Sequence, residues 1–154
     1  MFSTELVGGR RIAVVLQPGD DILGALGDAC AAHGIEQGYL PVFLGAFTEV
    51  SLIGTCLPIE DEDLPLKDSV RLTNVEGTGS GTIAWDAHSQ TVQIHVHVAI
   101  GMKSRSAAGY AGHLLGGTVH YVTEVIVEEV LAPRFLRRAD PAAHGIPNLV
   151  FEAV

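Results

Sequence analysis

The chain has 154 residues, 47% of them hydrophobic, and carries 18 Asp and Glu against 9 Lys and Arg, a formal net charge of −9. That apolar content sustains a packed core and excludes a disordered chain, and the length fits one domain. The acidic balance opposes general phosphate-backbone binding, which needs clustered Lys and Arg, although Arg134, Arg137 and Arg138 lie close together in sequence.

No apolar run reaches the roughly 18 residues of a membrane span, and the opening MFSTELVGGRR has no apolar signal core. A soluble, cytoplasmic protein without membrane contact is expected. Cys30 and Cys56 form no CxxC pair and read as reduced, buried thiols. Eighteen glycines and seven prolines point to turns and strands rather than a helix bundle.

In chain order, RRIAVVLQ at residues 10–17 reads as a strand that Pro18-Gly19 ends. Asp20 or Asp21 can cap a helix over residues 20–33, where Ile22, Leu23, Leu26, Ala29 and Cys30 recur at helical spacing. Gly34 is placed to end it. Residues 39–44 and 47–53 read as two strands parted around Gly45, with Pro41 marking the first as an edge or irregular strand. LPIEDEDLPLKD, residues 57–68, carries four consecutive acids and reads as a solvated loop.

A strand over residues 70–76 is followed by Gly77, Gly79 and Gly81. No Lys stands in phosphate-loop register and no helix follows, so these glycines read as a bend or bulge in a sheet. WDAHSQ, residues 85–90, reads as a hairpin connection with His88 exposed in the turn.

The next stretch carries the chemistry. Residues 91–100, TVQIHVHVAI, alternate with period two: Ile94, Val96, Val98 and Ile100 on one face, Gln93, His95, His97 and Ala99 on the other. Side chains two apart on a strand point the same way with α-carbons ~7 Å apart, so two imidazoles can converge on one ion. His113, after a glycine-rich bend and beside Gly112, is the third candidate ligand; glycine there would permit backbone geometry that other residues resist. Three neutral imidazoles suit zinc or another divalent metal. The alternative is that His95 and His97 are ordinary hydrogen-bonded strand residues.

Residues 118–130 form a long β-branched run in which His120, Val122, Glu124, Ile126 and Glu128 share one face. A carboxylate among valines and isoleucines needs a partner if buried. Glu124 could then orient a metal ligand or serve as a catalytic proton carrier; otherwise its face is wet, as in a half-exposed antiparallel sheet. The tail contains Pro133, Pro141 and Pro147, and residues 149–151 can dock as a short strand.

The block IHVHVAI…GYAGHLLGGTVHYVTEVIVEE resembles the PPC (plants and prokaryotes conserved) domain. RRIAVVLQPGDDILGAL, GIEQGYLPVFLGAFTEVSL and VEGTGSGTI resemble the family's earlier segments in the same order. The resemblance implies an α+β fold, a mainly antiparallel sheet with one principal helix in a single domain, its core about 10–130 with a C-terminal extension over 131–154. It further implies a homotrimer, carries the family's histidine positions onto His95, His97 and His113, and carries its later strand carboxylate onto Glu124. The plant members use the domain for association next to Arg-Gly-Arg-Pro hooks that bind DNA; this sequence has no such hook, so DNA binding is expected to be weak or absent. Two functions follow: a regulatory or DNA-associated binding module, and a zinc-dependent enzyme acting on a small-molecule ligand.

Overall fold

The computed structural model describes residues 2–86 and 89–152. His88, expected in an exposed turn, lies outside the described residues. The elements run β1 (Val7–Leu16), α1 (Ile22–His33), β2 (Gly38–Ile53), β3 (Ser69–Asp86), β4 (Thr91–Met102), β5 (Ala108–Ala132), β6 (Arg134–Ala139) and β7 (Pro147–Glu152). β2 pairs antiparallel with β3 and β5, and β4 pairs antiparallel with the same two strands, so β2, β3, β4 and β5 close into a ring. β1 extends the sheet along β5, and the β6–β7 hairpin joins through a parallel bridge between Trp85 and Leu136. This barrel-like, mostly antiparallel sheet with one helix fits the α+β expectation.

The helix forms where its punctuation placed it. The Asp21 carboxylate accepts the Gly24 backbone N–H at 2.7 Å, satisfying one of the donors a helix start leaves free. Gly34 ends the helix with a left-handed φ of 64°, which costs glycine little. Ile22, Leu26 and Cys30 are buried against the inside of the barrel, joining Phe43, Phe47, Val75, Val96, Val119 and Val127. Burying Ile22 and Leu26 contributes about 1.5–3 kcal/mol each before entropy is counted.

Four expectations are corrected. β2 is one continuous strand through Gly45, held by unbroken pairing with β3 there, and residue 45 is glycine because the Thr123 side chain of β5 occupies the space a Cβ would need. β2 is also interior, which removes the edge reading of Pro41 and keeps the irregular one: Pro41 sits where the register shifts against both β3 and β5, a bulge that tolerates a missing N–H. Gly77, Gly79 and Gly81 lie within β3 rather than in a bend, with an added Cβ at Gly79 falling 2.6 Å from the His97 carbonyl oxygen. Their missing side chains let β4 coil tightly over β3. Finally, Cys30 is buried but Cys56, at the start of the acidic loop, is exposed.

Candidate metal centre

β4 alternates as expected: Val96, Val98 and Ile100 are buried in the barrel, which turns His95 and His97 to the outer face. β4 and β5 then form a hairpin, and its register places His113 directly opposite His97. His113 therefore stands in a strand, not in a bend. Gly112 is not among the left-handed residues, so strand pairing rather than unusual backbone geometry brings His113 into place. Directly opposed residues share a face with Cβ atoms about 4.5–5.5 Å apart.

The three rings form a compact group. His95 and His97 are nearly parallel, with centroids 5.1 Å apart. His113 stands edge-on to both, at 4.6 Å from His95 and 5.3 Å from His97. One nitrogen from each ring lies within 4.8 Å of the others. On a tetrahedral zinc with bonds of 2.0–2.1 Å the nitrogens would stand about 3.4 Å apart, a difference small ring rotations close. Burial, followed by the nearby Arg137 charge and the other two imidazoles, pushes His95 down to about 4. Burial, His97 and Arg137 lower His113 as well. These two imidazoles are thus held neutral near pH 7, the form that ligates a metal. The residues fit a divalent ion with three nitrogen ligands and room for a fourth.

That room is a cavity of about 610 Å3 beside the histidines, walled by Ile53, Leu66, Ile94 and Ile146, with the half-buried Arg137 among its lining residues. Sequence reasoning missed this wall. Arg137 was legible only as part of a basic cluster, which the structure disperses: Arg138 pairs with Glu152, Arg134 is exposed, and Arg137 donates to Thr82 Oγ1. Leu66 belongs to the segment read as solvated loop, and it is half-buried against the pocket.

The structure does not bring Glu124 to this group. Glu124 is exposed on β5, between Val15 of β1 and Leu44 of β2 in the sheet register. It stands eleven residues beyond His113, on the order of 35 Å of strand path. The wet-face alternative describes it within this chain. His120 stacks on Tyr121 with centroids 3.9 Å apart, and its buried Nδ1 has no hydrogen-bond partner among the described residues. His33 and His144 are exposed and outside the cluster.

Comparison with known proteins gives a consistent result. The family description "Plants and Prokaryotes Conserved (PCC) domain" matches residues 3–131. No curated protein matches the chain. Among solved structures, a Pyrococcus horikoshii plant- and prokaryote-conserved (PPC) protein has 18% identity and a TM-score of 0.78, covering 97% of this chain and 99% of its own. A protein from Archaeoglobus fulgidus described as metal-containing has 19% identity and a TM-score of 0.75, with coverage of 97% and 99%. A Ralstonia eutropha protein provisionally named as DNA-binding has 26% identity and a TM-score of 0.70, with coverage of 92% and 90%.

Proposed function

Because the chain belongs to the Plants and Prokaryotes Conserved domain family, we propose that it is a trimeric, metal-holding binding module with a DNA-associated regulatory role. The observation that carries the reading is the convergence of His95, His97 and His113 beside an open cavity. Zinc is the ion that three imidazoles suit best, and the metal-containing description of the Archaeoglobus relative supports a metal. The name of the Ralstonia relative supports the DNA association. With a net charge of −9, any contact with DNA must be local and salt-sensitive, or made through a partner protein.

Assembly is supported by an outward sheet face. Val15, Val42, Leu44 and Val122 are 54%, 37%, 43% and 38% exposed around Glu124, a patch of the kind that copies of a chain bury between them. A closed three-fold ring would cover it with a heterologous interface. Glu124 then lies at or near a subunit boundary.

The cavity favours a second reading, a zinc-dependent enzyme on a small molecule in the cytoplasm. A bound zinc would supply Lewis acidity and a water with pKa lowered toward ~7. His95, His97 and His113 would hold it beside the apolar wall of the cavity. Glu124 could carry a proton there only from a neighbouring copy.

Metal analysis of untagged protein, together with light scattering, tests the main reading. About one divalent ion per chain and a mass near three times 16.2 kDa are expected. Metal content unchanged in a His95→Ala/His97→Ala double variant would remove the metal centre, and a monomer at micromolar concentration would remove the trimer.

A further inference from the structure

Arg137 is the least explained charge next to the histidine group. It sits on β6, beyond the residues 3–131 that carry the family match. One of its N–H groups donates to Thr82 Oγ1. Thr82 pairs directly across the β3–β4 ladder with His95, so the two side chains leave the sheet on the same face, one residue spacing apart. The hydroxyl thereby pins the guanidinium beside the imidazoles.

Among the described residues the remaining donors of that guanidinium have no hydrogen-bond partner. Arg137 enters none of the ion pairs among the described residues, and burial lowers its pKa with no carboxylate raising it. Among the described residues the cavity lining contains no Asp or Glu. A guanidinium carries five N–H donors in a planar fork; those that Thr82 leaves free open on the cavity, a positive charge with no anionic side chain in the described lining. A divalent ion on the histidines would add two more positive charges and deepen that deficit.

We propose that Arg137 makes the cavity a site for a small organic carboxylate. The carboxylate takes the free fork of the guanidinium in a bidentate pair, and a short aliphatic body packs on Ile53, Leu66, Ile94 and Ile146. The cavity volume, about 610 Å3, lies within the usual range for small-molecule sites, roughly 300–1,000 Å3. The apolar wall argues against inorganic phosphate, whose oxygens it could not satisfy. The inference deepens the metal-centre reading and rests on it for the second half of the site, but the Arg137 half stands on its own contacts.

The test is calorimetric titration of untagged protein, zinc-loaded and zinc-free, with acetate, butanoate, 3-methylbutanoate, butanamide and inorganic phosphate. Butanoate and 3-methylbutanoate should bind more tightly than acetate, and butanamide at least about tenfold more weakly than butanoate, since it lacks the charge-assisted pair. Arg137→Gln should lose butanoate binding by a similar factor while binding zinc as tightly as wild type or more so, because a like charge has been removed. Arg137→Lys keeps the charge without the fork and should fall between them. Equal binding of butanamide and butanoate, phosphate binding more tightly than any carboxylate, or unchanged butanoate binding in Arg137→Gln would overturn the proposal. Zinc bound without butanoate binding also overturns it and leaves the metal centre standing. Arg137-dependent butanoate binding in a protein that takes no zinc supports it and removes the metal reading instead.

Discussion

Gly81→Ala tests whether the close approach of β3 and β4 positions the proposed metal centre. An added Cβ at residue 81 would run into the His95 carbonyl oxygen and stand 3.1 Å from both the His95 carbonyl carbon and the Val96 Cα. All three neighbours are backbone, so no side chain can swing away. The strands must separate by roughly an ångström next to the rung that joins Thr82 to His95. Overpacking of this kind costs about 1–3 kcal/mol, and for a chain of this length each kcal/mol lowers Tm by about 2–4 °C, so a fall of about 2–12 °C is expected. His95 moves with its carbonyl, while His97 is held against His113 two residues on. Displacing one ligand relative to the other two should weaken zinc by about ten- to a hundredfold, the range seen when a ligand loses its positioning contacts. Thermal unfolding of metal-free protein and a competitive zinc titration read the two effects separately. Gly27→Ala is the matched control: Gly27 lies inside α1 with nothing within 4 Å of its added Cβ, so it should stabilise the protein by about 0.4–1 kcal/mol and leave zinc affinity unchanged. A Gly81→Ala protein that melts with wild type and binds zinc equally would refute the argument.

Acid stability should depend on Glu129. Its carboxylate accepts from Arg10 Nε at 2.9 Å, Arg10 Nη2 at 2.7 Å and the Arg10 backbone N–H at 3.0 Å, and these bonds hold it down to about 2 from an ordinary 4.5. The group's stabilisation is therefore complete above pH 4.5 and is lost as pH falls towards 2, about 1 kcal/mol after discounting for the exposed Arg10. In Glu129→Gln that part of the acid loss should vanish; urea midpoints at pH 7 and pH 3 that fall equally in both proteins would contradict it. For DNA, fluorescence anisotropy on a mixed-sequence duplex should show binding no tighter than the roughly 1–100 μM of non-specific contacts at physiological salt, falling steeply as salt rises; submicromolar affinity would mean a dedicated DNA surface that the net charge conceals.

Features set by neighbours in sequence were legible. The Asp21 cap, the Gly34 stop and the alternation of β4 all act within a few residues, and each appears where expected. The histidine group was legible for the same reason, since a short hairpin determines which residue faces His97. Features set across the barrel were not. Gly45 resembles a strand break until Thr123 is placed against it, and the glycines of β3 resemble a bend until β4 is laid over them. Parity put Glu124 on the correct face of β5, but parity does not say which face is wet; that follows from Thr123, Val125 and Val127 turning inward.

Arg137 marks the sharpest form of that limit, and the reason bears on how the site works. Its position depends on the β6–β7 hairpin, which meets β3 through one parallel bridge and packs Phe135 with Val130 and Ala84 in a small cluster of its own. The main core that supports the three histidines does not include that cluster. Two packing units therefore meet at one cavity: the barrel supplies the three histidines, and the hairpin supplies the charge and the Ile146 part of the wall. Substitutions in the hairpin can then change what the cavity accepts while the histidine triad keeps its register. That separation is why changes at Arg137 should move carboxylate affinity and leave metal capacity intact, whereas Gly81→Ala, which acts through the barrel, should move both.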